Sequence, residues 1–197
     1  TSWIGSDFHK EGEMAGRALE EALEEKYGDA EEPVYIVVLS GTEGSSAEIG
    51  RTEGFQRVAA EHGNWVIMEQ VDAEFTTAKG QEEMERLLAR YSDIDVVISQ
   101  NDDMAFGALE AIVGAGRTVG EDGEILVISF DATEEALKLV RDGVIAADIE
   151  CNPNQGEYAD QIIKKLRQGE PVAKLYFVPE EVYTKENVEE ALKDRNY

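Results

Sequence analysis

Short apolar runs alternate with longer amphipathic stretches along most of the chain. Five runs rich in Val, Ile and Leu predict strands at residues 34–39, 65–68, 96–99, 125–128 and 144–149. The first four are almost continuously apolar, and a strand without polar–apolar alternation is typically covered on both faces. We therefore expect these strands to lie inside a sheet.

The stretches between the runs have the spacing of helices that pack one face against a core. Helices are predicted at residues 11–26, 46–61, 78–91, 103–115 and 134–142. Ser45 and Glu48 are placed as a capping box at the start of the second helix, and Gly116 and Gly143 follow the ends of two others. Strands separated by helices predict an α/β fold with a doubly wound parallel sheet and helices on both faces.

The alternation changes after residue 149. A turn-rich link at 151–156 precedes a predicted helix at 157–167, a strand at 175–178 and a short final helix at 184–193. The first of these helices carries an apolar stripe, formed by Tyr158, Ile162, Ile163 and Leu166.

The composition limits the partners that the chain can have. It has 197 residues, 42% of them hydrophobic, with 18 Lys and Arg against 43 Asp and Glu and a formal net charge of −25. A chain of this length can bury a substantial core. The negative charge repels nucleic-acid phosphate and anionic membranes, so we expect neither as a partner. The longest apolar run, at 34–39, is too short to span a bilayer, so no membrane insertion is expected.

Side chains that suit a sugar follow the predicted strands. In a doubly wound sheet, ligands bind outside the carboxyl ends of the strands. The residues that follow the five strands in turn include Arg51, Phe75, Asn101, Asp131 and Cys151. Guanidinium, carboxamide and carboxylate groups each bridge neighbouring hydroxyls with paired hydrogen bonds, and an aromatic face suits the C–H side of a sugar ring. Together they predict a polyol or sugar site.

Each of these residues also has a purely structural explanation. Asn101 and Asp131 stand where helix caps belong. Arg51 can pair with Glu48 or Glu53 on the surface, and a lone aromatic residue is more often core than ligand platform. The hypothesis of a sugar site therefore depends on the residues meeting at one edge of the sheet.

Signatures of catalysis and of metal binding are missing from the sequence. Residues 41–46 follow a strand and open a helix but lack the ending of a phosphate loop, and there is no Gly-x-Ser-x-Gly elbow. His9, His62 and the single Cys151 do not have the spacing of a zinc site. We expect no cofactor, no metal and no enzymatic activity, and interpret Cys151 as a small buried apolar side chain.

Several motifs resemble the type I periplasmic sugar-binding proteins of ABC importers, of the ribose/galactose type. They lie at residues 4–7, 41–55 (ending in Arg-Thr-Glu-Gly-Phe), 75–80, 100–109, 129–133 and 142–147. Two further segments, 149–153 and 183–197, are most similar to the galactofuranose-binding branch. The resemblance covers essentially the whole chain.

The resemblance implies two similar lobes joined by three crossing segments. Residues 7–150 then form the C-terminal sugar-binding lobe, 152–178 a helix–strand segment that belongs to the N-terminal lobe, and 179–197 a crossing segment with the tail helix. It also implies that the chain is a fragment that lacks the start of the N-terminal lobe. A single lobe is expected to bind sugar weakly. Its uncovered helical stripe favours dimerisation or segment exchange.

The resemblance further implies a monosaccharide ligand (a pentose, a hexose or a furanose form) and delivery to ABC permease subunits, outside the cytoplasm. The protein would be periplasmic, or extracellular and lipid-anchored in a Gram-positive host. Arg51, Phe75, Asn101 and Asp131 match the sugar contacts of the family, and Cys151 replaces a ligand-binding glutamine. Two alternatives stay open: the effector-binding core of a lactose-repressor-type regulator, and a small α/β enzyme, which the missing catalytic groups disfavour.

Overall fold

The computed structural model of the protein describes residues 2–28, 32–120 and 122–197. The strands are β1 (Trp3–Gly5), β2 (Val34–Ser40), β3 (Trp65–Asp72), β4 (Val96–Ser99), β5 (Leu126–Asp131), β6 (Ala147–Glu150), β7 (Leu175–Phe177) and β8 (Val182–Tyr183). The helices are α1 (Phe8–Tyr27), α2 (Ser46–Ala59), α3 (Thr77–Arg90), α4 (Asp102–Gly114), α5 (Glu134–Arg141), α6 (Gly156–Arg167) and α7 (Val188–Asp194). Among the described residues, no helix combines the length and the apolar character that crossing a bilayer requires.

The main sheet has six strands in the order β3-β2-β4-β5-β6-β8. All neighbouring pairs are parallel except β6 and β8, which pair antiparallel through Ile149 and Val182. The predicted α/β class with a mostly parallel sheet is therefore confirmed. The sequence pattern did not predict β8, because a two-residue edge strand has no measurable periodicity.

Strand β3 corrects one expectation. Its apolar run at 65–68 predicted a strand covered on both faces, but β3 is the outermost strand and pairs only with β2. Val66 is accordingly 40% exposed, and Val71 is the one buried residue of the strand. An apolar run indicates a strand, whereas its position within the sheet depends on topology.

Two apolar cores cover the two faces of the main sheet. Helices α1 and α2 pack on one face, with Leu19 and Phe55 as central side chains. Helices α3, α4, α5 and α7 pack on the other, where Met84, Met104 and Leu137 are fully buried. Both faces are covered by helices, as the alternation of strands and helices predicts.

Strands β1 and β7 form a separate two-stranded parallel sheet. The rings of Trp3 and Phe177 meet edge to face at 5.7 Å. Three segments connect this small sheet and helix α6 to the main sheet: residues 6–7 after β1, 151–155 after β6 and 178–181 after β7. We call them the connecting segments.

Helices α1 and α2 cross closely because glycines lie at their contact. A Cβ atom at Gly12 would lie 2.3 Å from the carbonyl oxygen of Arg51, and one at Gly54 would lie 2.1 Å from the carbonyl oxygen of His9. This close approach places Glu11 of α1 beside Arg51 of α2, so the glycines position two charged side chains as well as two helices.

The contact predicts that replacing a glycine with alanine here destabilises the protein, which is the opposite of the usual effect in a helix. Alanine is normally the better helix residue by about 0.5–1 kcal/mol. We nevertheless expect Gly54→Ala to lower the free energy of unfolding by about 2 kcal/mol or more, because its methyl group would collide with backbone. Gly114→Ala in α4 is the matched control, since nothing lies within 4 Å of its Cβ position, and it should stabilise. Urea denaturation of both variants measures the difference, and a stabilised Gly54→Ala variant would contradict the close contact.

Candidate functional site

The guanidinium of Arg51 lies at the carboxyl ends of β4 and β5, inside a cage of acceptors. Its Nε donates to Glu11 Oε2 at 2.7 Å, its Nη2 donates to Asp131 Oδ1 at 3.1 Å, and its Nη1 donates to the carbonyl of Gln100. The Phe130 ring centroid is 4.8 Å from its Cζ. A guanidinium has five N–H donors, and these three acceptors use three of them. The cage fixes the orientation of the other two.

The surface pairing considered for Arg51 is wrong. Its side chain is only 3% exposed, Glu48 accepts instead from the amide of Gly44 at 3.3 Å, and Glu53 pairs with His9. Arg51 therefore belongs to a buried charge cluster, which its position one turn into α2 did not reveal.

Burial has the largest effect on the pKa values of the two carboxyl groups in this cluster. It raises the pKa of Glu11 to about 7, although Arg51 opposes the shift. It raises the pKa of Asp131 to about 6 in the same way. Burial alone would lower the pKa of Arg51, but the two carboxylates outweigh it and raise that pKa. The guanidinium thus stays charged, whereas its two carboxyl partners titrate close to neutral pH.

Asn101 and Phe75 form a second contact pair at the same edge. Asn101 caps α4 by accepting from the amide of Met104 at 3.0 Å, so its interpretation as a cap is confirmed. Its Nδ2 donates to the carbonyl of Phe75 at 3.4 Å. The half-buried Phe75 ring lies against Gly41, where a Cβ would come within 1.8 Å of it, and it also packs on the core.

Two of the site residues have strained backbones. Phe75 has φ of 57° and Asp131 has φ of 107°, and their neighbours Glu74 and Ala132 also have positive φ. Side-chain-bearing residues in this region cost about 1–3 kcal/mol each and occur preferentially where a ligand is held. The backbone conformations of the loops after β3 and β5 therefore lower the stability of the folded protein.

A pair of buried carboxyl groups holds the loop after β5. Asp102 accepts from the amide of Thr133 at 2.9 Å and from the Ser129 hydroxyl at 2.6 Å, and Asp148 accepts from the amide of Ala132 at 3.1 Å. Burial raises the pKa of both carboxyls, and for Asp148 the neighbouring Asp102 adds to the shift. The pair fixes the strained turn that presents Asp131.

Cys151 joins the site from the connecting segment after β6. Its Sγ is 3.4 Å from the Ser6 hydroxyl, and the sulfur lies within 4.8 Å of ligand atoms of Glu11 and Glu180. Burial, with the nearby Glu11 carboxylate, raises the pKa of the thiol to about 12. The residue is half-buried, which is less burial than its interpretation as a small buried apolar side chain predicts.

The five predicted residues lie close together, four of them in two contact pairs and Cys151 beside Glu11, the partner of Arg51. Arg51 contacts Asp131, Asn101 contacts Phe75, and Gln100 links them through its carbonyl bond to Arg51. Sequence reasoning missed the residues that support them: Glu11, Gln100, Asp102, Asp148 and Glu180. Only Gln100 and Asp102 carried a signal, since Gln100 directly follows β4 and Asp102 begins the helix after it. The arrangement offers donors, acceptors and an aromatic face on a fixed frame, which suits a neutral ligand rich in hydroxyl groups.

Known proteins resemble this chain in sequence. A model of the periplasmic binding protein domain matches residues 1–171. The chain is 35% identical to the ribose import binding protein of Salmonella typhimurium over 176 residues, which cover 89% of this chain and 55% of that protein. It is 31% identical to the galactofuranose-binding protein of Escherichia coli over 196 residues, 98% of this chain and 59% of that protein.

A solved structure is similar in fold as well. The Mycobacterium smegmatis protein in complex with β-D-fucofuranose superimposes with a TM-score of 0.87 at 35% identity, over 98% of this chain and 62% of that chain. The chain therefore spans a little more than half the length of the relatives that it matches.

Proposed function

Because the chain belongs to the periplasmic binding protein domain family, we propose that it binds a monosaccharide at the edge of the main sheet and takes part in sugar import. The observation that carries this proposal is the caged Arg51, whose Nη2 donates to the Asp131 carboxylate at 3.1 Å. A guanidinium and a carboxylate at fixed distance match two neighbouring ring hydroxyls.

Three further features support a sugar over other small ligands. Asn101 adds a carboxamide and Phe75 an aromatic face next to Arg51 and Asp131. The strained backbones of Phe75 and Asp131 fall on two of the residues proposed to contact the ligand. The relatives described above include binding proteins for ribose, galactofuranose and β-D-fucofuranose. We propose a pentose or a hexose as ligand, including its furanose form.

The proposal extends to organisation and partners. Residues 7–150 would form the sugar-binding lobe, 152–178 part of a second lobe, and 179–197 a crossing segment with the tail helix. The partner would be the permease of an ABC importer, and the protein would act in the periplasm or on the cell exterior, lipid-anchored in a Gram-positive host. Capture of the sugar involves no bond-breaking step, so we propose no catalytic activity.

Sugar binding by the 197-residue chain is expected to be micromolar or weaker. The Asp131 side chain is 33% exposed, so the site as described is an open edge, and affinity falls when much of a ligand stays in water. We expect Asp131→Asn to weaken binding at least about tenfold, because charge-assisted hydrogen bonds are about twice as strong as neutral ones. Calorimetry with D-ribose, L-arabinose and D-galactose measures both quantities.

A matched control distinguishes an effect at the site from an effect of the net charge of the chain. Asp103 is an exposed acid on the first turn of α4, and Asp103→Asn should leave sugar binding unchanged. An equal loss in both variants, or no binding of any of the three sugars at millimolar concentration, would contradict the proposal. Sub-micromolar affinity would refute the open, one-sided site.

The small sheet gives a separate prediction about self-association. Five apolar side chains around β1, β7 and α6 are about half exposed: Trp3, Ile163, Leu166, Leu175 and Phe177. We propose that a second copy of the chain covers this surface, and expect a concentration-dependent dimer by light scattering. Leu175→Lys should abolish the dimer, whereas Val113→Lys, at an equally exposed apolar position on α4, should not. A strictly monomeric wild-type chain would refute the association.

A further inference from the structure

Three potential metal ligands from distant parts of the chain meet where the connecting segments converge. One ligand atom each of Glu11, Cys151 and Glu180 lies within 4.8 Å of the others. Glu11 lies in the first turn of α1, Cys151 follows β6 and Glu180 follows β7. We call this group the connector cluster. The spacing of these residues in the sequence does not predict the cluster, because only the tertiary structure brings them together.

Glu11 supplies the observation that points to a bound ligand. The residue is fully buried, and its Oε2 is occupied by Arg51 at 2.7 Å. Its other oxygen, Oε1, is buried and accepts no hydrogen bond within the described part of the chain. A buried carboxylate oxygen without a donor is costly. Oε1 is the oxygen left for the cluster, whose other members are a thiol and a second carboxylate.

The polar surroundings hold the other members of the cluster in position. The Ser6 hydroxyl contacts both Cys151 Sγ and a Glu180 oxygen. The amide of Asn152 donates to Glu180 Oε1 at 3.0 Å. Ser6, Asn152 and Glu180 come from the three connecting segments, so the cluster and its hydrogen-bond partners bring all three together.

We propose that the connector cluster binds a divalent zinc-like cation through Glu11, Cys151 and Glu180. A thiolate with two carboxylates is a donor set for a borderline-soft ion, and the sulfur disfavours magnesium and calcium. Coordination deprotonates the thiol outright. Because the ligands lie on α1 and on two connecting segments, the bound ion restricts motion of the small sheet relative to the main sheet.

Cobalt(II) is the probe that tests the site. It replaces zinc in tetrahedral sites, and a cysteine ligand then produces a thiolate-to-cobalt charge-transfer band in the near ultraviolet. Cobalt chloride titrated into the chelator-treated 197-residue chain should give this band with one ion per chain. Zinc, which binds such sites more tightly, should displace cobalt and remove the band. Cys151→Ser should lack the band, since Cys151 is the single cysteine.

A matched pair of glutamates distinguishes the site from loose binding to an acidic surface. Glu180→Gln should weaken cobalt binding at least about tenfold, whereas Glu181→Gln, at the exposed neighbouring position, should leave it unchanged. No charge-transfer band at millimolar cobalt would overturn the proposal and assign Glu11 Oε1 a proton shared with Glu180. Equal affinity of the two glutamine variants would overturn it as well. None of these measurements involves a sugar, so the result is independent of the proposed ligand.

Discussion

Replacing Arg51 with methionine is expected to lower the free energy of unfolding by about 3–5 kcal/mol near pH 8. Methionine fills a similar volume but leaves the buried carboxylate of Glu11 and the partly buried one of Asp131 without their cation. The loss should be smaller near pH 5, because the raised pKa values of Glu11 and Asp131 let both carboxyls take up a proton there. Urea denaturation at the two pH values measures the effect.

Arg57 provides the control for this substitution. It lies on the same helix and pairs with Glu13, but its side chain is 61% exposed. Exposed ion pairs contribute at most about 1 kcal/mol, so Arg57→Met should change stability little at either pH. If the two methionine variants lose the same stability, the buried cage around Arg51 is not the reason for the effect.

Acidification from about pH 8 to about pH 5 is expected to stabilise the chain, in contrast to most proteins. A carboxyl with a higher pKa in the folded state stabilises fully below its unfolded pKa, and that contribution is lost as the pH rises through the folded pKa. For Glu11 the window runs from the ordinary value of 4.5 to about 7, which corresponds to roughly 3 kcal/mol. Asp131 and Asp148, whose pKa values burial also raises, act in the same direction.

Glu11→Gln should flatten this pH profile, because glutamine keeps the shape of the side chain and cannot titrate. Glu21→Gln, on the exposed face of the same helix, removes the same charge without touching the buried cluster and should leave the slope unchanged. The measurements should be made at about 0.5 M salt, because salt screens the repulsion among the surface charges of this acidic chain. A wild-type chain that loses stability between pH 8 and 5 contradicts the buried protonation of Glu11.

The site residues differed in how well sequence could predict them. Asn101 was open to prediction, since a polar residue directly after an apolar run is both a helix cap and a candidate ligand contact. The position of Asp131 at the carboxyl edge of the sheet was predictable, but its φ of 107° was not. Glu11 stood at the start of a predicted helix, and nothing in the sequence marked it as buried. It is buried because Gly12 and Gly54 let α2 approach α1.

The sequence by itself determined the alternation of β2–β6 with α1–α5, the parallel pairing of these strands and the edge at which polar side chains collect. Periodicity and capping are local properties, and parallel strands necessarily bring their carboxyl ends to one edge. Tertiary structure decided that β3 lies at the border, that Arg51 pairs with Glu11 across 40 positions, and that Glu180 reaches Cys151. Burial and long-range pairing depend on how the elements pack, and packing also determines which charged groups are desolvated.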